Sequence, residues 1–284
     1  MGACLPCIPR TRVGSTNGRD DVSIRRVYKQ HNSAVVTFGA PLIFAIFLVA
    51  GWWITTALSG VESWVLPSPS DYVSRLSFEL GNEALWASLW ITAEEALLGS
   101  LFGALIALPL AYFIYKSRVF SAAVEPFLGA TQAIPAIALA PLLVLWIGYG
   151  TSAIVALCTL MVFFPILVSS TTGLRHLDED VLDAARLDGA SGLTLLLYME
   201  APLALPSILA GVRNGFTLSV TGAVVGEMVM GGTGLGTILT IQRNNVDTAG
   251  MFVTISLLCV MAMTVYTLIY SVERKSRLVN SSRR

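Results

Sequence analysis

Charge is what this sequence has least of. Asp, Glu, Lys and Arg make up 13% of its 284 residues, while 55% are hydrophobic and the mean hydropathy is +0.71. Soluble domains carry about 25% charged residues, and so little polar surface cannot keep a folded chain wetted. A soluble domain is excluded, and the composition reads as an integral membrane protein. Histidine is nearly missing: His31 and His176 stand alone, which leaves no metal site. There are four cysteines. Cys4 and Cys7 have zinc or redox spacing, but no second pair or nearby His completes a site, so they read as reduced thiols. Cys158 and Cys259 lie in apolar runs and read as packing residues. No apolar stretch precedes Cys4 or Cys7, which argues against a lipoprotein signal.

The chemical signatures are absent too. No G-x-x-x-x-G-K-[ST] phosphate loop occurs, so ATP, if used, is bound by a separate polypeptide. Gly232-Thr233-Gly234-Leu235-Gly236 lacks the Lys and the preceding strand of a nucleotide loop, and its glycines read as a sharp backbone turn. No G-x-S-x-G elbow or convergent Ser, His and Asp set exists. The chain carries no enzyme signal, no catalytic residue and no cofactor of its own.

What is present is a series of long apolar runs. Residues 1–33 are polar and read as a cytosolic tail. Ala34–Leu58 is long enough to cross a hydrocarbon core of ~30 Å. Leu66-Pro67-Ser68-Pro69-Ser70-Asp71 follows in an external segment, where Ser70 or Asp71 can cap an amphipathic helix. Trp86–Tyr115 gives an interfacial stretch and a second span from Leu97. Ala122–Ile147, Thr151–Thr172, Leu203–Met230 and Thr248–Tyr270 complete six spans. The membrane region is therefore 34–270, with 271–284 as a second cytosolic tail. Lys and Arg concentrate in both tails, at Lys116 and Arg118, and at Arg175 and Arg186; only Arg75 and Arg243 fall in the outer segments. That excess places both termini inside a multi-pass plasma-membrane protein.

Between the fourth and fifth spans lies a polar loop, 173–202. Its centre, Asp183-Ala184-Ala185-Arg186-Leu187-Asp188-Gly189-Ala190-Ser191, predicts a short helix ending at Gly189, where φ > 0 is permitted. Ser191 can cap a second short helix through Leu195 and Tyr198, and Pro202 suits the start of the next span.

The order Asp183-Ala184-Ala185, three residues, Gly189, nine residues, Met199-Glu200-Ala201-Pro202 resembles the E-A-A-x3-G-x9-I-x-L-P signature of ATP-binding cassette (ABC) importer permeases. Ala184, Ala185, Gly189 and Pro202 match; Asp183, Met199 and Ala201 depart. Trp64 to Pro69, and the Val224 to Met228 stretch ahead of a Gly-Leu-Gly turn, resemble the nitrate, sulfonate, taurine, bicarbonate and thiamine-precursor branch. The resemblance, from about Trp64 to Tyr270, implies an all-α, six-helix type I importer permease fold. It also implies a homodimer of this chain, two cytosolic ATPase subunits carrying ATP and Mg, and an external substrate-binding protein. Asp183, Ala184, Ala185, Gly189, Ala190, Ser191, Leu195 and Tyr198 would then form the coupling helix against the ATPase. The departure at Asp183 bears on the detail of that contact, not on the loop's place.

Ionisable residues inside a membrane are candidates for function. Glu227, Arg213, Glu94 and Glu95 are the pathway or gate candidates. Arg213 is expected to snorkel near the inner boundary, and Glu94 and Glu95 to be solvated at an interface. Glu227 divides evenly between a gate and a helix-to-helix hydrogen bond. Gly211 and Gly215 have close-packing spacing, within or between subunits. An ion-coupled carrier working without ATP is the other class, and Glu227 is its one good carboxylate. No cluster of Lys or Arg marks a pathway for tight anion capture, so a neutral heterocycle is as admissible as an inorganic anion.

Overall fold

Apolar runs longer than 20 residues, with their backbone groups needing internal partners, leave the α-helix as the economical structure. The computed structural model describes residues 34–58, 60, 62–132 and 135–281, and among them every regular element is helical. Cys4, Cys7, His31, Arg283 and Arg284 lie outside the described residues. The chain divides into two units, 1–49 and 50–284. The first contributes the opening turns of α1 (Ala34–Leu58), whose Ile43, Phe44 and Phe47 are exposed.

In the second unit, α2 (Pro69–Leu80) is capped by Ser68, ahead of the expected Ser70 or Asp71. Ser68 Oγ accepts from the Asp71 amide at 3.2 Å, and Asp71 returns the bond to the Ser68 amide. This reciprocal arrangement is a capping box. Pro69 at the first helical position costs nothing, since that N–H needs no partner. α3 (Glu83–Lys116) is unbroken, so the expected interfacial stretch and second span are one helix. The expected third span is divided into α4 (Arg118–Gln132) and α5 (Ala136–Ile147), with Pro135 extended at the N-cap of α5. Proline has no N–H to give a preceding turn, which suits it to a helix start.

α6 (Thr151–Arg175) follows, then α7 (Glu179–Leu187) and α8 (Gly192–Leu195). A π-helical turn, Leu196–Glu200, leads without a break into α9 (Ala201–Met230). α10 (Leu235–Asn244) and α11 (Thr248–Ser281) close the chain. On α10, Leu239 and Gln242 are buried. α11 runs on past the 270 boundary.

Among the described residues, four helical stretches are long and apolar enough to cross a membrane: Glu83–Lys116, Thr151–Arg175, Gly192–Met230 and Thr248–Ser271. Shorter apolar helices, Ile43–Leu58 and Ile137–Ile147, occupy the other two expected positions.

The core is the seam of α3, α6 and α9, and small residues make it possible. A Cβ on Gly99 would collide with Cys158, and one on Gly103 would lie 3.1 Å from Val162. On α9, Gly211 and Gly215 approach Ser169 and Val162 at 2.7 and 2.9 Å by the same measure. Without a hydrophobic drive between helices in lipid, such close backbone approach is a main source of association. Both glycine pairs therefore serve packing within the chain. Cys158 is buried in this seam as expected, whereas Cys259 is exposed on α11. Outside the seam, Leu97, Leu101, Phe102, Leu105 and Ile106 of α3 form an exposed apolar face.

Candidate functional sites at the two ends of α9

At one end of α9 the signature loop is built from local hydrogen bonds. Asp178 caps α7 by accepting from the Asp180 amide at 3.1 Å, so the helix begins at Glu179, four residues before the expected Asp183. Its other end is closed by two bonds: Ala190 N–H to the Ala185 carbonyl and Gly189 N–H to the Arg186 carbonyl, both 3.0 Å. With Gly189 at φ +90° this is a Schellman motif, which satisfies carbonyls that the helix end leaves open. The spacing of Ala185, Gly189 and Ala190 thus has a local physical cause. Asp183 pairs with Arg186 at 2.5 Å on the exposed face.

Leu182 and Leu195 are buried and hold the loop to the body, so Leu195 is an anchor and not part of the exposed face. Ser191 stands at the N-cap of α8 without a side-chain cap bond. Ala184 is exposed and Ala185 half-buried. Leu187 is 90% exposed, Leu193 73% and Tyr198 74%, with Leu197 beside them. These large apolar side chains make an exposed apolar surface on an otherwise polar loop.

Behind the loop, Glu200 in the π-helical turn is fully buried. Its Oε1 lies 3.5 Å from Lys116 Nζ and 3.5 Å from the Tyr115 hydroxyl, both on α3. Lys116 also stands 6.0 Å from the ring centres of Tyr112 and Tyr115. The residue quoted in the sequence only for its spacing is therefore a structural link.

At the other end, Glu227 is 1% exposed. Thr92 donates to its Oε1 at 2.7 Å, and the Gly236 amide donates to Oε2 at 2.5 Å. Thr92 Oγ in turn accepts from the Leu235 amide at 2.8 Å. One carboxylate and one hydroxyl thus bind the first amides of α10, which the helix itself leaves unsatisfied. A Cβ on Gly234 would meet Glu227 and Thr92 directly, so the glycine turn is needed for this approach.

Glu95 lies beside Glu227 and Thr151 and is itself 1% exposed, with Oε2 lacking a hydrogen-bond partner. This corrects the expected solvated interfacial carboxylate; only Glu94 is exposed. The signal was present in Thr92, Glu95, Ala96, Gly99 and Gly103, which share one helical face with the packing glycines. Arg213 is not in this cluster. It pairs with Glu273 at 2.9 Å and lies 4.9 and 5.5 Å from the ring centres of Tyr266 and Tyr270. Its expected snorkelling is replaced by a buried clamp between α9 and α11. Among the described residues no group of His, Cys, Asp or Glu could hold a metal ion.

Residues 99–278 match the family described as the binding-protein-dependent transport system inner membrane component. The chain belongs to that family. Among relatives of this permease, the riboflavin transport system permease protein RibX of Chloroflexus aurantiacus is 39% identical over 236 residues, covering 83% of this chain and 88% of RibX. The formylaminopyrimidine transport permease protein ThiX of Halalkalibacterium halodurans is 31% identical, covering 82% and 92%. Inward-facing MetNI, a methionine ABC transporter, has a chain of the same fold: TM-score 0.62 at 20% identity, over 68% of this chain and 95% of that one. The permease is thus the membrane subunit of an ATP-driven, binding-protein-dependent importer of a small solute, with ATP hydrolysis on separate subunits. The ion-coupled carrier reading is set aside.

Proposed function

We propose that this permease works as a homodimer bound to two cytosolic ATPase subunits, with the signature loop as the coupling element. The supporting observation is the patch of Leu187, Leu193, Leu197 and Tyr198 on a loop fixed at both ends by buried leucines. Asp183, Ala184, Ala185, Gly189, Ala190 and Ser191 form the framework that presents this patch, and Leu195 seats it. ATP and Mg belong to the ATPase subunits. Both termini and the loop face the cytosol, as the distribution of Lys and Arg favours. The glycine turn and α10 then face outward, toward the binding protein.

Closure of the ATPase dimer draws the two coupling loops together and turns the pathway outward, a rigid-body switch of two states. Glu227 acts as the fastener of the outer turn in this cycle, while Arg213 holds α9 to α11. The relatives supply the first solutes to test, riboflavin and a formylaminopyrimidine.

The decisive measurement is ATP hydrolysis in proteoliposomes holding this permease, its ATPase and its binding protein. Wild type is expected to stimulate hydrolysis. Gly189→Arg is expected to lose the stimulation, because φ +90° strains any side chain there and the new one stands at the docking face. Equal activity of the two proteins would overturn the coupling role.

A further inference from the structure

α9 has one face that neither the core nor a partner helix covers. Leu203, Asn214, Thr217, Leu218, Thr221 and Met228 are all exposed, and at 3.6 residues per turn they fall within an arc of ~100°. The ends of this stripe are apolar, and its middle is polar apart from Leu218. Asn214 is thirteen residues beyond Ala201, ~20 Å along the axis, so it sits near mid-span.

Exposed hydroxyls inside a span are not by themselves informative, because they can bond their own helix. Thr264, Thr267 and Ser271 of α11 do so at 2.7, 2.7 and 2.8 Å. Thr217 and Thr221 make the same kind of bond, but longer, at 3.2 and 3.4 Å. Asn214 is different in kind. It is the only side-chain amide in the four membrane-crossing stretches, and it makes no hydrogen bond among the described residues. An amide has two donors and an acceptor that hydrocarbon cannot satisfy. The exposed face of α3, by contrast, is wholly apolar from Leu97 to Ile106. α3 presents what lipid tolerates and α9 presents what water or a polar solute tolerates.

The charge on this wall also has a definite value. The one cation on α9 is Arg213, and Glu273 neutralises it under the rings of Tyr266 and Tyr270. Glu227 is turned inward to Thr92 and Gly236. The exposed face therefore offers hydrogen-bond donors and acceptors without net charge.

We propose that Asn214, Thr217 and Thr221 line the solute pathway and select an uncharged, hydrogen-bonding solute over an anion. The proposal rests on the importer reading, and it is tested by a signal independent of coupling. Asn214→Cys, Thr217→Cys and Thr221→Cys are placed singly in a Cys4→Ser, Cys7→Ser, Cys259→Ala background that keeps the buried Cys158. Leu105→Cys on the apolar face of α3 is the lipid-facing control. The full importer complex in proteoliposomes is treated with membrane-impermeant methanethiosulfonates, one bearing a trimethylammonium and one a sulfonate group.

The stripe positions are expected to react about tenfold or more faster than the control, because a charged reagent reaches only hydrated thiols. The trimethylammonium and sulfonate reagents, corrected for their rates with a free thiol, should agree within roughly threefold, since no local field favours either sign. Reaction at the control rate would place the stripe against lipid or the second copy and overturn the proposal. A sulfonate preference of about tenfold would overturn the neutral wall. Stimulated ATP hydrolysis with unreactive stripe positions defeats this inference alone, whereas reactive positions without stimulation defeat the coupling reading.

Discussion

Arg213 Nη1 stands 2.9 Å from Glu273 Oε2, and the pair ties the middle of α9 to a part of α11 beyond the apolar run. Both side chains are largely buried, so neither can lose its partner cheaply. Removing one member of such a pair costs about 3–5 kcal/mol, because the other remains as an uncompensated charge. Arg213→Ala is expected to lower the melting temperature of the detergent-solubilised permease, and Arg213→Met with Glu273→Leu to recover most of the loss. A double variant as unstable as the single one would show that the clamp acts through something other than its charges.

The Glu227 carboxylate is predicted to govern the stability of the α10 start. Glu227→Ala strands the Gly236 amide, while the Thr92 hydroxyl keeps the Ser88 carbonyl at 3.2 Å, and an unsatisfied buried donor costs about 1–3 kcal/mol. Amide hydrogen exchange at Leu235 and Gly236 should accelerate by roughly tenfold or more. Thr92→Val should act on the same two amides, more weakly at Gly236. Exchange unchanged in both variants would remove Glu227 from this role.

Leu187 and Tyr198 face outward, so changing them should leave the permease itself intact. Exposed substitutions usually alter stability by within about 0.5 kcal/mol. Leu187→Asp and Tyr198→Asp are expected to melt like wild type and yet fail to retain the ATPase on co-purification. Retention at the wild-type level would show that the patch is not the docking face.

The turn between α10 and α11 repeats the Schellman pattern with the wrong residue. Asp247 N–H bonds the Gln242 carbonyl at 2.9 Å and Val246 N–H bonds the Arg243 carbonyl at 3.1 Å, with Val246 at φ 56°. A β-branched residue is strained in that region. Val246→Gly should therefore raise stability by roughly 1 kcal/mol, the scale of the left-handed penalty, read as a higher melting temperature. Gly189→Val should change it by a similar amount in the opposite direction.

The sequence made some of this legible and hid the rest for physical reasons. Helices were readable because apolar length is a local property, and the signature loop because Gly189 closes a motif of adjacent residues. The break at Pro135 was hidden among three prolines, since Pro126 and Pro141 lie inside helices with no interruption. The buried state of Glu95 was hidden because its partner is 132 positions away on α9, and no local pattern encodes that meeting. Arg213 was misread because Glu273 lies beyond the last apolar run. Glu200 was visible as a letter in the signature and not as a contact, because Lys116 belongs to another helix.

The two buried carboxylates near the ends of α9, Glu200 at its N-cap and Glu227 in its last turns, have a joint mechanical consequence. Glu200 grips the Lys116 end of α3, and Glu227 grips Thr92 of the same helix. The grips are ~40 Å apart along α9 and ~36 Å apart along α3 at 1.5 Å per residue. A ladder with two fixed rungs cannot slide one rail past the other. On the proposed coupling role, a push at Leu187 or Tyr198 would tilt both rails together, and the displacement would reappear at the glycine turn.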